Sequence, residues 1–201
     1  MSVQINDLEL LDAVSQFALT HPHPDVERFK KSMRDWGENW LAVDESYLPA
    51  VDLLGASIAT GNPQTRGLLE RFEQHKHRLH WEQSYKKEDG VVSAAMLAAY
   101  GFAEIIGKQG PFVSDRIRAG IGIYGLNIDY PRHQHQAEEV YIVLAGSAEF
   151  KVGDSAEVTS RAGDVIFVAS NTPHGFRTCD QGLVIYYLWQ AGDLRQISDF
   201  G

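Results

Sequence analysis

Cysteine is almost absent from this chain of 201 residues: Cys179 is the single example. One thiol cannot close a disulfide within the chain, so an oxidising compartment is not required for folding. A half-buried strand thiol is the plainer reading of Cys179 than a nucleophile. Long apolar runs are also missing. None reaches the ~18 residues of a membrane-spanning helix. The opening stretch Met-Ser-Val-Gln-Ile-Asn-Asp has no basic region and no apolar stretch of the kind a secretion signal needs, so a cytoplasmic protein is expected. Positive charge is scarce: 18 Lys and Arg stand against 27 Asp and Glu, a net charge of −9. That balance argues against nucleic acid or an anionic membrane as the main partner. It leaves a small-molecule substrate open, because a pocket can differ from the average surface. No repeat and no low-complexity linker divides the chain.

What is present begins with apolar content of 44%, enough for a real core. Residues 1 to about 106 carry helical periodicity. The first segment holds Leu8, Leu10, Leu11, Val14, Phe17 and Ala18, with Asp7 as N-cap, and ends at Pro22 and Pro24. A second helix is expected from Asp25 to about Trp40, and a third holds Leu48, Val51, Leu54 and Ile58. Asn62-Pro63 reads as cap and first turn of a fourth, with Leu68, Leu69 and Phe72 inside. A fifth is expected to carry Ala94, Leu97, Ala98, Phe102 and Ile105. From about Ile121 the pattern changes to short apolar runs at intervals of about 8–12 residues, separated by glycine-bearing turns, as in an all-β sandwich or barrel. The expected fold class is therefore α+β. A helical extension over residues 1–106 covers one side or mouth of a small β-barrel over residues 107–201.

The most informative stretch is His133-Gln-His-Gln-Ala-Glu-Glu-Val-Tyr-Ile-Val-Leu-Ala-Gly146. On a strand every second side chain shares a face. His133, His135, Glu139 and Tyr141 are all odd-numbered, so a tight turn near Ala137 aims them at one point. Val140, Ile142 and Leu144 then face the other way, into a hydrophobic layer. Two imidazoles and a carboxylate suit a borderline divalent ion such as zinc, iron, manganese or nickel. His174 in Thr-Pro-His-Gly-Phe supplies a third imidazole. A second group, His75, His77 and His80, is interleaved with Lys and Arg and reads as a solvated helix face.

Together with Gly163-Asp164 and Pro173-His174, this stretch resembles the two motifs of the cupin superfamily over roughly residues 120–190. The resemblance implies a conical β-barrel with one metal held by His133, His135, Glu139 and His174. Two positions depart from the pattern. Asn127 stands where a glycine is usual, and Ser170-Asn171 replaces a Pro-x-Gly; both departures bear on loop shape. The run Tyr-Pro-Arg-His-Gln-His-Gln-Ala-Glu-Glu-Val-Tyr, the Pro-His-Gly and the distal tryptophan narrow the likeness. They resemble the cupin-type dimethylsulfoniopropionate (DMSP) lyases of marine bacteria, particularly the Q type of the Ddd enzymes.

That resemblance implies a carbon–sulfur lyase cleaving a small sulfonium carboxylate to dimethyl sulfide and acrylate by β-elimination. Tyr141, beside Glu139, is the expected general base, its phenol acidified by the dication. Tyr130, which Pro131 holds extended, is the second candidate base or a positioning group. Trp189, Tyr187 and Tyr130 are expected to face the sulfonium. A cupin dioxygenase or isomerase acting on another small carboxylate shares the metal site but leaves Tyr141 unexplained. A non-catalytic ligand-binding cupin is a third reading. The helical extension is expected to offer a dimer surface or, over Trp36 to Leu54 with Trp40 and Tyr47, a lid.

Overall fold

A computed structural model of the chain describes residues 4–34, 36–86, 90 and 92–195. Helix α1 (Ile5–Thr20) follows the expected periodicity and buries Leu10, Val14 and Ala18. Its N-cap is Gln4 rather than Asp7, and Asp7 instead accepts a hydrogen bond from Trp40 Nε1 at 2.7 Å. The second expected helix stops early. Helix α2 (Pro24–Glu27) gives way to a 3-10 turn at Lys30–Met33. Gly37 has a φ of +101°, which no helix accommodates. Beyond it, Trp40 bridges to Phe112 instead of continuing a helical stripe.

The third segment is split between 3-10 turns and the short α3 (Leu53–Ser57). Helix α4 (Arg66–His75) starts later than expected. Asn62 caps the turn before it: Oδ1 accepts from the N–H groups of Gln64 and Thr65 at 2.8 and 3.0 Å. The fifth segment departs most. Ser93 caps α5 (Ala94–Ala99), but the chain then becomes a strand, so Phe102 and Ile105 lie in a sheet. The expected boundary at 106 falls inside that strand. The first half of the chain is thus only partly helical, and most of its helices are short.

Among the described residues nine strands form one sheet: β1 (Trp81–Glu82), β2 (Tyr100–Gly107), β3 (Phe112–Val113), β4 (Ile117–Tyr124), β5 (Asp129–His133), β6 (Glu138–Val152), β7 (Val158–Arg161), β8 (Val165–Val168) and β9 (His174–Gln190). The main order is β1-β2-β4-β9-β6-β7, antiparallel throughout, with β3 beside β2 (parallel), β5 beside β9 and β8 beside β6. This arrangement fits a cupin-type barrel. The two longest strands each absorb two of the short runs seen in the sequence. Strand β6 continues through Gly146, whose φ is +73°, and its pairing with β9 shifts register between Val143 and Ala145 and between Gly146 and Ala148. Bulges of this kind bend a strand without ending it.

Two apolar clusters occupy the two faces of the sheet. Val140, Ile142, Leu144, Val184, Tyr186 and Leu188 pack with Leu10, Val14, Leu69 and Phe72 from the helices. Tyr141, Val143, Ile185 and Tyr187 face the other way, with Tyr100, Tyr124, Tyr130 and Phe176. The odd–even alternation along β6 and β9 therefore separates a helix-covered face from a cavity-lining face. The helices close one side of the barrel. Trp40 is tied to Asp7, while Tyr47 hydrogen-bonds Asp52 at 2.5 Å and stacks on His77, so neither lines the cavity and a lid there is not supported.

Candidate metal and substrate site

Two stretches of chain meet to make the site. Strand β5 ends at His133, which pairs with His174 at the start of β9. Between β5 and β6 the chain turns at residues 134–137, and the turn is pinned from the opposite loop. Asn171 N–H donates to His135 O at 2.8 Å, and Ser170 Oγ donates to Gln136 O at 2.6 Å. Asn171 has a φ of +56° and Asn127 a φ of +53°. Asparagine tolerates this left-handed region better than other non-glycine residues. The two departures from the cupin pattern thus keep the backbone geometry that glycine usually supplies.

The ligating-type atoms of His133, His135 and His174 lie within 4.8 Å of one another, and all three side chains are buried. Glu139 Oε2 is 3.0 Å from His135 Nε2 and 3.3 Å from His174 Nε2. Each imidazole Nδ1 lies against a backbone carbonyl: His133 to Pro131 O at 3.0 Å, His135 to Ala137 O at 2.9 Å and His174 to Thr172 O at 2.8 Å. A carbonyl only accepts, so Nδ1 carries the proton and Nε2 presents its lone pair.

Three lone pairs and a carboxylate then converge on one point. Burial and the neighbouring His174 push His133 down to about 3, so it is neutral near pH 7. His174 Nε2 is buried with no hydrogen-bond partner. A cluster of acceptors without a donor is unfavourable unless a cation sits among them. The donor set therefore fits a divalent ion of the zinc, iron, manganese or nickel type. His75, His77 and His80 do not join such a group among the described residues. His75 lies 3.3 Å from Glu9, and His80 lies 2.8 Å from Asp44 O.

Beside the cluster is a cavity of about 290 Å³. His133, Glu139, Tyr141, Tyr130 and Tyr124 line one end. Tyr187 and Trp189 form a wall. The Glu139 carboxylate lines the same end of the cavity as Tyr141. Burial first, then that carboxylate, pushes the Tyr141 phenol well above its ordinary range, opposite to the direction expected beside a dication. Tyr130 stacks on Phe176 at 4.9 Å between ring centres and lies edge-on to Tyr85 at 5.4 Å.

The Trp189 ring is already engaged. It stacks on His135 at 3.9 Å, and the Arg118 guanidinium lies 5.0 Å from its ring centre. Its Nε1 and the Tyr187 hydroxyl are buried without partners. The sequence reading brought forward every aromatic of this wall except Tyr124 and Phe102. Glu82, Gln109 and Arg118, which line the cavity's other end with Lys86 and Arg195, and Glu104, which holds Arg118, were not singled out there. Their only signal is cross-strand register, because Glu82 reaches the site through pairing with β2.

A protein-family model for dimethylsulfoniopropionate lyase matches residues 25–185. Over 90 residues the chain is 41% identical to dimethylsulfoniopropionate lyase DddQ of Ruegeria pomeroyi, a match covering 45% of this chain and 44% of that protein. It is 27% identical over 150 residues to a putative dimethylsulfoniopropionate lyase, DddL, of Cereibacter sphaeroides, covering 73% of this chain and 61% of that one. These matches span less than two thirds of either relative's length. Among solved structures, one described as DMSP lyases RdDddP and RnDddQII superposes with a TM-score of 0.88 at 23% identity, over 98% of this chain and 97% of that chain. At that identity the likeness concerns the fold. The crystal structure of DMSP lyase DddQ from Ruegeria pomeroyi DSS-3 gives a TM-score of 0.82 at 25% identity, over 96% and 95% of the two chains. The family model spans most of the sequence, and the chain belongs to the dimethylsulfoniopropionate lyase family.

Proposed function

We propose that this protein is a metal-dependent lyase that cleaves dimethylsulfoniopropionate by β-elimination, releasing dimethyl sulfide and acrylate. The observation that carries the reading is the convergence of His133, His135, His174 and Glu139 beside a buried tyrosine, Tyr141, at one end of a cavity with an aromatic wall. Family membership supports the substrate class. His133, His135, Glu139 and His174 are the residues that would hold the metal. When bound, a divalent ion supplies Lewis acidity toward the substrate carboxylate and positive charge that opposes the upward push of burial on nearby acids.

Tyr141 is the proposed base. After losing its own proton to solvent, its phenolate oxygen takes the proton from the carbon next to the substrate carboxylate. The electron pair of that C–H bond becomes the new C=C bond, the C–S bond breaks, and its pair leaves on sulfur as neutral dimethyl sulfide. Tyr130 is the weaker candidate, since its ring is held between Phe176, on which it stacks, and the edge-on Tyr85. It positions the substrate as part of the aromatic wall. The rings of Tyr124, Tyr130, Tyr187 and Phe102 offer an aromatic surface to the sulfonium head of the substrate. The fold of residues 107–201 carries the proposed catalytic groups, and residues 1–106 contribute the helix-covered face and β1 and most of β2.

The deciding experiment incubates metal-replete protein with dimethylsulfoniopropionate under nitrogen and follows dimethyl sulfide in the headspace and acrylate in solution. Equal release of both is expected. Absence of both with metal bound, or turnover only with iron and oxygen, rules the proposal out.

A further inference from the structure

The cavity's far end has an unusual charge arrangement. Across the sheet, Tyr141 on β6 stands opposite Tyr187 on β9, which stands opposite Gly120 on β4, which stands opposite Glu104 on β2. Gly120 leaves room for the Tyr187 ring to lie over it: a Cβ there would meet the Tyr187 hydroxyl oxygen at 2.5 Å. Tyr187 thus links the metal end to Glu104 and Arg118. Glu104 is buried and fully committed. Its Oε2 accepts from Arg118 Nε at 2.6 Å, and its Oε1 accepts from the backbone N–H groups of Gln109 and Gly110 at 2.6 and 3.3 Å.

Arg118 is therefore neutralised in place, with its other end on Leu194 O at 3.3 Å. Glu82, the next carboxylate on the cavity wall, is left over. The Gln109 side-chain amide, with its nitrogen toward Glu82, donates to Oε2 at 2.7 Å. Among the described residues no cation lies within ion-pair distance of Glu82. Its hydrogen-bond partner is thus an amide, and the cations Lys86 and Arg195 line the same cavity without pairing with it.

We infer that Glu82 is the anionic subsite for the positively charged end of the substrate, so that the cavity selects zwitterions over neutral carboxylates of the same shape. A full negative charge half-buried beside a second carboxylate is unfavourable when the cavity holds only water. Burial and Glu104 indeed raise the Glu82 carboxyl above its ordinary range, against the pull of His80 and Arg118. An onium group in the cavity supplies the missing counter-charge. The aromatic walls provide shape and a favourable surface for any bulky trimethyl or dimethyl head, but a neutral tert-butyl group fills the same space. Discrimination between the two needs a fixed charge, and Glu82 is the one that local partners leave uncompensated. This inference rests on the proposed reading of the site as one for a small onium carboxylate.

The test measures binding and is independent of turnover. Two inert ligands are titrated calorimetrically into metal-replete protein: 3-(trimethylammonio)propanoate and 4,4-dimethylpentanoate, its isostere with an uncharged head, called the neutral-headed ligand. The wild-type protein is expected to prefer the onium ligand. In Glu82→Gln the preference falls about tenfold or more, through weaker onium binding with the neutral-headed ligand unchanged, while Glu82→Asp retains most of it. Equal weakening of both ligands, no change in either, or tighter onium binding in Glu82→Gln overturns the inference. Far-ultraviolet circular dichroism and thermal unfolding verify that each variant is folded, and Glu82→Ala, with the same expected loss of preference, carries the test if the Gln variant is not. If the protein cleaves no dimethylsulfoniopropionate yet loses onium preference in Glu82→Gln, the lyase reading fails and the subsite stands. If cleavage is observed and the preference survives the substitution, the reverse holds.

Discussion

At the scale of single residues, the site turns on where protons sit. Three backbone carbonyls claim the Nδ1 protons of His133, His135 and His174, so their Nε2 atoms have only lone pairs to offer. Tyr141 differs from them in being an acid whose proton must leave. Without a cation, burial and Glu139 hold that proton on the phenol. The dependence of Tyr141 on a bound ion follows from charge, and it gives a sharp expectation. Tyr141→Phe removes one oxygen from a ring packed against Phe150 and Phe176 and leaves the imidazoles untouched. Dimethyl sulfide release is expected to fall about 10²–10⁴-fold, the usual contribution of a positioned base. Metal content, measured by mass spectrometry, is expected to stay at the wild-type level. Loss of metal together with activity would assign Tyr141 to holding the ion instead.

At the scale of elements, one strand serves two masters. Strand β6 sends Glu139 and Tyr141 into the cavity and Val140 and Ile142 toward α1 and α4. Pleating makes these two sets inseparable, so the register of the site is set by the packing behind it. Phe72 on α4 is fully buried in that packing. Phe72→Ala is expected to destabilise the protein by about 3–5 kcal/mol, seen as a lower urea midpoint. Below the transition the onset of activity is expected to be retained, because the residue touches no cavity group. A variant that is as stable as the parent would mean that the helices contribute little to holding β6. The short α5 shows the limits of local propensity. Ala94 to Ala99 reads as a helix and is one, but the following Tyr-Gly-Phe-Ala-Glu-Ile-Ile pairs with β4 over most of its length and is held as a strand. Its apolar spacing fits either period, and only the partner strand decides.

For the whole molecule, the buried cluster links ligand binding to stability. His133 and His174 come from strands separated in sequence by β6, β7 and β8, so an ion bound between them ties β5 and β9 to β6. Anything that binds the folded state alone stabilises it. Stripping metal with a strong chelator is expected to lower the unfolding temperature by several degrees, since about 1 kcal/mol corresponds to ~2–4 °C in a chain of this size. Re-addition of zinc, manganese, nickel or anaerobic iron is expected to restore it, as followed by scanning calorimetry. An unchanged transition on chelation, with metal loss verified, would separate the cluster from metal binding. Among the described residues no helix is long and apolar enough to cross a membrane.

The sequence by itself determined the chemistry that can gather. His133, His135, Glu139 and Tyr141 share one face of a strand because of spacing alone, and His174 was recognisable from the loop motif around it. The alternation of Val140, Ile142 and Leu144 likewise told which face would be covered. Local spacing reaches only as far as one strand, however. It did not tell that two pairs of short runs would merge into the bent β6 and β9, because a bulge costs little and leaves no sharp signature in composition. Nor did it reveal that Asn127 and Asn171 keep a left-handed backbone where glycine was expected. Above all, tertiary structure decided the far end of the cavity. Glu82, Glu104 and Arg118 lie in three strands of unrelated local pattern, and they meet because strand pairing aligns β1, β2 and β4 in a register set by burial across the whole sheet.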